Sequence, residues 1–351
     1  MANVLVVDDS ALLRRVLKQM LTRDPGLNVI GCVESGEAAL HFLENNEVDV
    51  ITMDIHMPGM DGFEATRRIM ESARPVPVVI ISSCWDPREV EKTFEAMDAG
   101  AVAILAKPSD ISFGGDEYAA ELLKTVNEAA VSKVGRLRPR KKNVQSEDTS
   151  ASRSVGAPAR AGRQRRISLV AIGSSTGGPQ ALAEFLARLP GDFPCPLLVV
   201  QHIAAGFTLG LAEWLGKVTP LPVKVAQNGQ MPANGAVYIA PDGVHMCLRQ
   251  GGFLSLVKAP PEHMVRPSAS VLFRSVAAVH GAAAAAILFS GMGRDGASEL
   301  KRLRDLGAAT FAQDKESSVV WGMPGEAVRL DAAEHIGPPS VLASLLLEHL
   351  R

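Results

Sequence analysis

The 351-residue chain has only four cysteines, Cys32, Cys84, Cys195 and Cys247, scattered and with no C-x-x-C spacing. That signals neither a disulfide framework nor a zinc finger. No apolar run reaches the length that crosses a bilayer; the longest candidate, Ala282–Phe289, is far too short. The first residues, MANVLVVDDS, lack a basic leader and run straight into acids, so no signal peptide is expected. The expectation is a soluble cytoplasmic protein with no membrane insertion. Net charge is only −2, which argues against nucleic acid as a partner of the whole chain. The P-loop motif is also missing.

What is present is 47% hydrophobic residues against 21% charged, enough for full cores and, at this length, two domains. Residues 1–130 alternate short apolar runs with amphipathic stretches. Strands are expected at Val4–Val7, Asn28–Val33, Val48–Met53, Val76–Ile81 and Ala101–Leu105. Helices are expected at Ser10–Leu21, Gly36–Glu44, Gly62–Met70, Pro87–Met97 and Asp116–Ala130. This is the pattern of a flavodoxin-like, doubly wound parallel five-stranded sheet, whose ligands bind beyond the strand carboxyl ends. Those ends carry Asp8 and Asp9, then Asp54, then Ser82, then Lys107. Carboxylates converging on one edge repel unless a hard cation sits among them, and Mg²⁺ suits oxygen ligands. A lysine and a hydroxyl at the same rim can hold an incoming phosphoryl group.

Periodicity stops near Val131. Residues 133–166 hold eleven Lys or Arg and only Glu147 and Asp148 as acids, a net charge of +9. Rich in Ser, Ala, Gly and Pro, residues 131–166 read as a flexible basic linker.

The stretch from 167 to 351 forms a second α/β unit, expected to hold a mostly parallel sheet with a short antiparallel part. It opens with an apolar strand that breaks into Gly173-Ser174-Ser175-Thr176-Gly177-Gly178-Pro179 before a helical pattern. Unpaired amides at a helix start can hold a phosphate or an oxyanion, and a serine there can be a nucleophile if a base reaches it. Two further strand ends present His202 and Asp295. Together these offer a hydroxyl, a base and a carboxylate to orient it. Spacing alone does not choose between Ser174 and Ser175.

The motifs VVDDS, MDIHMPGMDG, ISS and AKP resemble the receiver domain of two-component response regulators. The resemblance implies phosphorylation at Asp54. It implies Mg²⁺ on Asp9, Asp54 and the His56 carbonyl with Asp8 assisting, and phosphoryl contacts from Ser82 and Lys107. Receivers often carry an aromatic switch residue shortly before the lysine; Ile104 stands in that region here. The motifs IGSSTGGP, QHIAAGF, YIAPDGVHM, SGMGRDGA and VVWGMPGEA resemble the CheB-type chemotaxis methylesterases. That implies Ser175 as nucleophile, His202 as general base, Asp295 as its orienting acid, and the amides of Thr176 and Met292 as the oxyanion hole. No cofactor is implied for ester hydrolysis. The implied substrates are methylated chemoreceptors, with a sensor histidine kinase as phosphodonor and glutamine deamidation as a second activity. The family's His and Asp around Arg266-Pro267-Ser268 are replaced by Val265 and Ser270, which is expected to alter the substrate approach.

Overall fold

In a computed structural model, residues 1–82, 94, 96–108, 116–132, 134–135 and 167–350 are described. Almost all of the basic linker and most of the helix expected at Pro87–Met97 lie outside them; Phe94 and residues 96–98 are helical.

The first unit is a five-stranded parallel sheet in the order β2-β1-β3-β4-β5. Its strands are β1 (Ala2–Val7), β2 (Leu27–Val33), β3 (Val50–Asp54), β4 (Val78–Ser82) and β5 (Ala103–Ala106). β3 and β4 are buried along their whole length, as unbroken apolar runs between helical layers should be. The helices are α1 (Ala11–Leu21), α2 (Gly36–Asn45), α3 (Gly62–Glu71) and α4 (Asp116–Ala130). Polar side chains start the first three: Ser10, Ser35 and Asp61 accept from the backbone amides of Leu13, Ala38 and Glu64. Strand order reverses between β1 and β3, so Asp8, Asp9 and Asp54 border the crevice such a reversal opens.

The second unit is a seven-stranded sheet in the order β14-β13-β12-β6-β7-β9-β8, parallel throughout. The central strands are β6 (Leu169–Ser174), β7 (Leu197–Gln201) and β12 (Ala284–Leu288); β8 (Val223–Val225), β9 (Val237–Ile239), β13 (Ala309–Gln313) and β14 (His335–Gly337) complete it. β10 (His245–Leu248) and β11 (Leu254–Val257) form a separate antiparallel pair. β9, next before that pair in the chain, joins the parallel sheet. β8 and β14 are three residues each, too short for periodicity to reveal. The helices are α5 (Gly178–Leu186), α6 (Thr208–Val218), α7 (Ala269–Val279), α8 (Ala297–Asp305), α9 (Met323–Arg329) and α10 (Pro339–Leu350). The chain leaves β6 toward β7 on one side and returns to β12 on the other. The second crevice therefore opens where β6, β7 and β12 end.

The two units touch. One apolar cluster contains Phe94, Ala101 and Ile104 of the first and Phe207, Leu211 and Trp214 of the second. The Phe94 and Trp214 rings stack with centroids 5.8 Å apart.

Candidate active site

Ser174 closes β6, and its hydroxyl donates to Gln201 Oε1 at 2.6 Å. Ser174 is fully buried, whereas Ser175 is half-buried. A buried hydroxyl already committed to an amide oxygen is a poor nucleophile; Ser175 is the residue that faces outward. Gln201, the last residue of β7, does more. Its amide nitrogen donates to the carbonyls of Ser175 and His202, each at 2.8 Å. The His202 amide donates to the Ser174 carbonyl at 2.9 Å. The serine turn and the histidine turn are thus laced together through one side chain and one backbone bond.

Glycine makes this lacing possible. A Cβ on Gly178 would lie 2.2 Å from Gln201 Oε1, and one on Gly291 would lie 2.6 Å from Ser175 Cβ. The second turn, after β12, is braced as well: the Ser175 amide donates to the Ser290 carbonyl, and the Gly291 amide to that of Val320. Among the described residues, the amides of Thr176 and Met292 donate to no acceptor. They are available to an incoming oxyanion.

His202 Nε2 lies 3.0 Å from Asp295 Oδ2. Asp295 is almost completely buried and accepts three more hydrogen bonds. These come from the Ser268 hydroxyl at 2.7 Å, the Ala269 amide at 2.6 Å and the Ser270 amide at 2.9 Å. The carboxylate therefore sits on the start of α7, where unpaired amides favour an anion. Burial pushes its carboxyl up. His202 and the hydrogen bonds from Ser270 and Ser268 outweigh that and hold it well below the usual carboxylate range. An ionised Asp295 only accepts, so Nε2 carries the proton and Nδ1 is left as the basic nitrogen. Ser175 Oγ is not hydrogen-bonded to His202, an open arrangement compatible with a site that tightens around substrate.

At the first crevice, Asp8 and Asp54 are buried. Carboxylate oxygens of Asp8, Asp9 and Asp54 lie within 4.8 Å of one another. Lys107 Nζ is 2.7 Å from Asp54 and 3.7 Å from Asp8. Asp8 Oδ2 has no hydrogen-bond partner. Burial and the neighbouring Asp54 push the Asp8 carboxyl up to about 6, against the pull of Lys107. A buried oxygen without a hydrogen bond, among three crowded carboxylates, fits a hard divalent cation. Ser82 is buried at the end of β4, its carbonyl accepting from the Lys107 amide at 2.8 Å. The His56 amide donates to Asp54 Oδ1 at 3.3 Å.

The first unit also reaches the serine turn, from the sheet edge opposite its own acids. The Gly177 amide donates to the carbonyl of Val102 at 3.0 Å. The Thr176 hydroxyl donates to Glu128 Oε2 at 2.6 Å, and Gln180 donates to the Ala101 carbonyl. The serine turn is therefore held by β5's leading residues and by α4, both from the first unit.

Comparison with known proteins agrees with this geometry. A family model described as CheB methylesterase matches residues 170–346, and one described as response regulator receiver domain matches residues 4–113. Protein-glutamate methylesterase/protein-glutamine glutaminase 1 of Syntrophus aciditrophicus is 43% identical over 348 residues, 99% of this chain and 98% of that one. The corresponding enzyme of Nitrosospira multiformis is 47% identical over 347 residues, 99% and 96% of the two chains. The chain belongs to the CheB methylesterase family. The crystal structure of the Thermotoga maritima CheB methylesterase catalytic domain superposes with a TM-score of 0.51 at 36% identity, covering 52% of this chain and 98% of that one.

Several residues of this CheB-family enzyme escaped the sequence reading. Gln201 is the end of a strand and Glu128 one polar position in a helix, and neither carries a local signal of its role. Ser268 and Ser270 belong to the segment expected to line the substrate approach. Both are fully buried behind Asp295 instead, with Ser270 Oγ accepting from the Gly296 amide at 2.8 Å. The replacement at 270 thus bears on the acid's support. Val265, half-buried, pairs with Glu262 in a tight bridge.

Proposed function

We propose that this protein hydrolyses glutamate γ-methyl esters on the cytoplasmic helices of chemoreceptors, and deamidates glutamines there, under control of phosphorylation at Asp54. The His202–Asp295 pair beside Ser175 carries this reading. Ser175 Oγ attacks the ester carbonyl while its proton passes to His202 Nδ1. Asp295 stabilises the imidazolium without taking the proton. The carbonyl oxygen, now negative, takes hydrogen bonds from the Thr176 and Met292 amides. His202 returns the proton to the leaving methanol, then deprotonates the water that releases the acyl group. With a glutamine the leaving group is ammonia.

In the receiver, Asp9, Asp54 and the His56 carbonyl would hold Mg²⁺ with Asp8 assisting. Mg²⁺ there supplies charge neutralisation for phosphoryl transfer. Ser82 and Lys107 contact the phosphoryl group on Asp54, delivered by a sensor histidine kinase. The contacts of Ala101, Val102 and Glu128 with the serine turn support a receiver that covers the site when unphosphorylated. β5 carries Ala101 and Val102 just before one end and Lys107 just after the other, so a shift of Lys107 toward a phosphoryl group can be felt at the cover. Phosphorylation then moves the population toward an open interface. No helix among the described residues is long and apolar enough to cross a membrane, which suits an enzyme working in the cytoplasm on receptor domains there.

The test is methanol release from methylated receptor cytoplasmic fragments, with and without a small-molecule phosphodonor plus Mg²⁺. Release should rise with the donor, vanish in Ser175→Ala, and ignore the donor in Asp54→Asn. Undiminished release by Ser175→Ala would overturn the nucleophile.

A further inference from the structure

Far along the chain from the triad, three side chains converge at the outer edge of the second sheet. His335 opens the edge strand β14, Glu334 precedes it, and His349 lies in the last turn of α10. Ligand atoms of all three lie within 4.8 Å of one another. The two Nε2 atoms face each other at 3.4 Å. We propose that His335, His349 and Glu334 form a site for a borderline divalent transition metal of the Zn²⁺ class, joining the last helix to the sheet edge.

Three observations carry this. The first is spacing. With metal–nitrogen bonds of about 2.05 Å, two imidazoles at a tetrahedral centre hold their nitrogens about 3.3 Å apart. The observed 3.4 Å is that separation. The second is the tautomer. His349 Nδ1 is 2.9 Å from the carbonyl of Leu345. A carbonyl only accepts, so Nδ1 carries the proton and Nε2 presents its lone pair to His335. A ligating histidine is commonly oriented by just such a bond from its other nitrogen. The third is ring orientation. The His335 ring stacks on buried Phe311 with centroids 5.1 Å apart and planes 26° apart. It stands at 79° to the His349 ring. Packing thus holds both rings before any ligand arrives, which lowers the cost of binding.

Two imidazoles and a carboxylate are a donor set that suits Zn²⁺, and also Cu²⁺ or Ni²⁺, better than the Mg²⁺ expected at the receiver acids. Glu334 is exposed and both histidines are partly so, so a metal there can be reached from solvent. Such a site exchanges its metal and is stripped by chelators. The site does not depend on the ester chemistry.

The test uses the full-length protein, stripped with chelator and then kept in excess Mg²⁺ to occupy the receiver acids. Zn²⁺ is titrated calorimetrically and against the melting temperature, and Co²⁺ is added as a spectroscopic substitute. One equivalent should bind. The melting temperature should rise by about 5–10 °C at a hundredfold excess over Kd, and Co²⁺ should develop the visible band of tetrahedral nitrogen–oxygen ligation. His349→Gln and His335→Gln, with metal-free melting temperatures checked against wild type, should each weaken that equivalent at least about 10-fold, Glu334→Gln less. The proposal is overturned if no saturable equivalent appears, or if the Co²⁺ band and affinity are the same in both histidine variants. It is also overturned if the variants merely melt lower while Zn²⁺ leaves wild type unmoved, for then the rings share only a hydrogen bond.

Discussion

Glu128 is the side chain through which the receiver's last helix reaches the serine turn, and its removal is a sharp test of the covering arrangement. Its Oε2 accepts from the Thr176 hydroxyl at 2.6 Å, deep in the interface, while Oε1 has no partner. A hydrogen bond to an ionised group contributes about 1.5–3 kcal/mol. Leaving the Thr176 hydroxyl buried and unpartnered adds to the loss. Against this, the closed state must desolvate a carboxylate with one oxygen unpaired, a cost that Glu128→Ala abolishes. The net effect should be about 1–2 kcal/mol in favour of opening, a roughly 5- to 30-fold shift of the closed-to-open ratio. If the closed form dominates without phosphate, basal methanol release rises by nearly that factor in Glu128→Ala. The donor-stimulated rate stays close to wild type, because the open enzyme is unaltered. The assay is initial-rate release with and without phosphodonor, alongside Thr176→Val, which removes the other half of the bond. A folded Glu128→Ala protein whose basal rate matches wild type would refute the idea that this bond holds the site covered. A fall in both rates would instead place Glu128 in support of the oxyanion turn.

Other expectations can be checked with the same preparation. Gly178→Ala forces Gln201 away from the serine turn and should cost about 1–3 kcal/mol of stability by overpacking, with a fall in kcat larger than any change in KM; kinetics and thermal melts read both. Ser268→Ala removes both a bond to Asp295 and the α7 cap and should destabilise by about 1.5–3 kcal/mol, measured by denaturant unfolding. Because the folded Asp295 carboxyl lies below its unfolded value, its contribution is complete above the unfolded pKa of about 3.9 and disappears as pH falls toward the folded one. Stability measured from pH 6 downward should therefore decline less steeply in Asp295→Asn than in wild type.

Most elements could be read from the chain because their apolar runs were long and unbroken. β3 and β4 of the receiver and β6, β7 and β12 of the second sheet are buried on both faces, and their ends carry the motif residues. The sequence also brought Ser175, His202 and Asp295 to strand ends, since a parallel sheet collects its carboxyl termini on one edge. What could not be read is what crosses between elements far apart. Gln201 owes its role to meeting Ser174 and Ser175 from a neighbouring strand, and no local periodicity encodes that meeting. Ser270 looked like a substrate-facing substitution because its segment is a loop running into a helix; burial beneath Asp295 is a tertiary fact. Trp214 sits among the apolar positions of its own helix, yet the ring it stacks on is Phe94 of the other unit. Asp295 illustrates the same limit. As the residue before the glycine that starts α8, it looks like that helix's cap, yet its side chain caps α7.

The bond between the Gly177 amide and the Val102 carbonyl joins main chain to main chain. No exchange of the side chain at 102 removes its acceptor, so this point of contact is silent to alanine scanning. Interface side chains can drift between related enzymes while this tie stays in place. A scan of the interface will therefore understate its strength and reveal only the part that rests on groups such as Glu128. Detecting the remainder calls for editing the backbone itself: an ester in place of the 176–177 amide, which deletes the donor without altering any side chain.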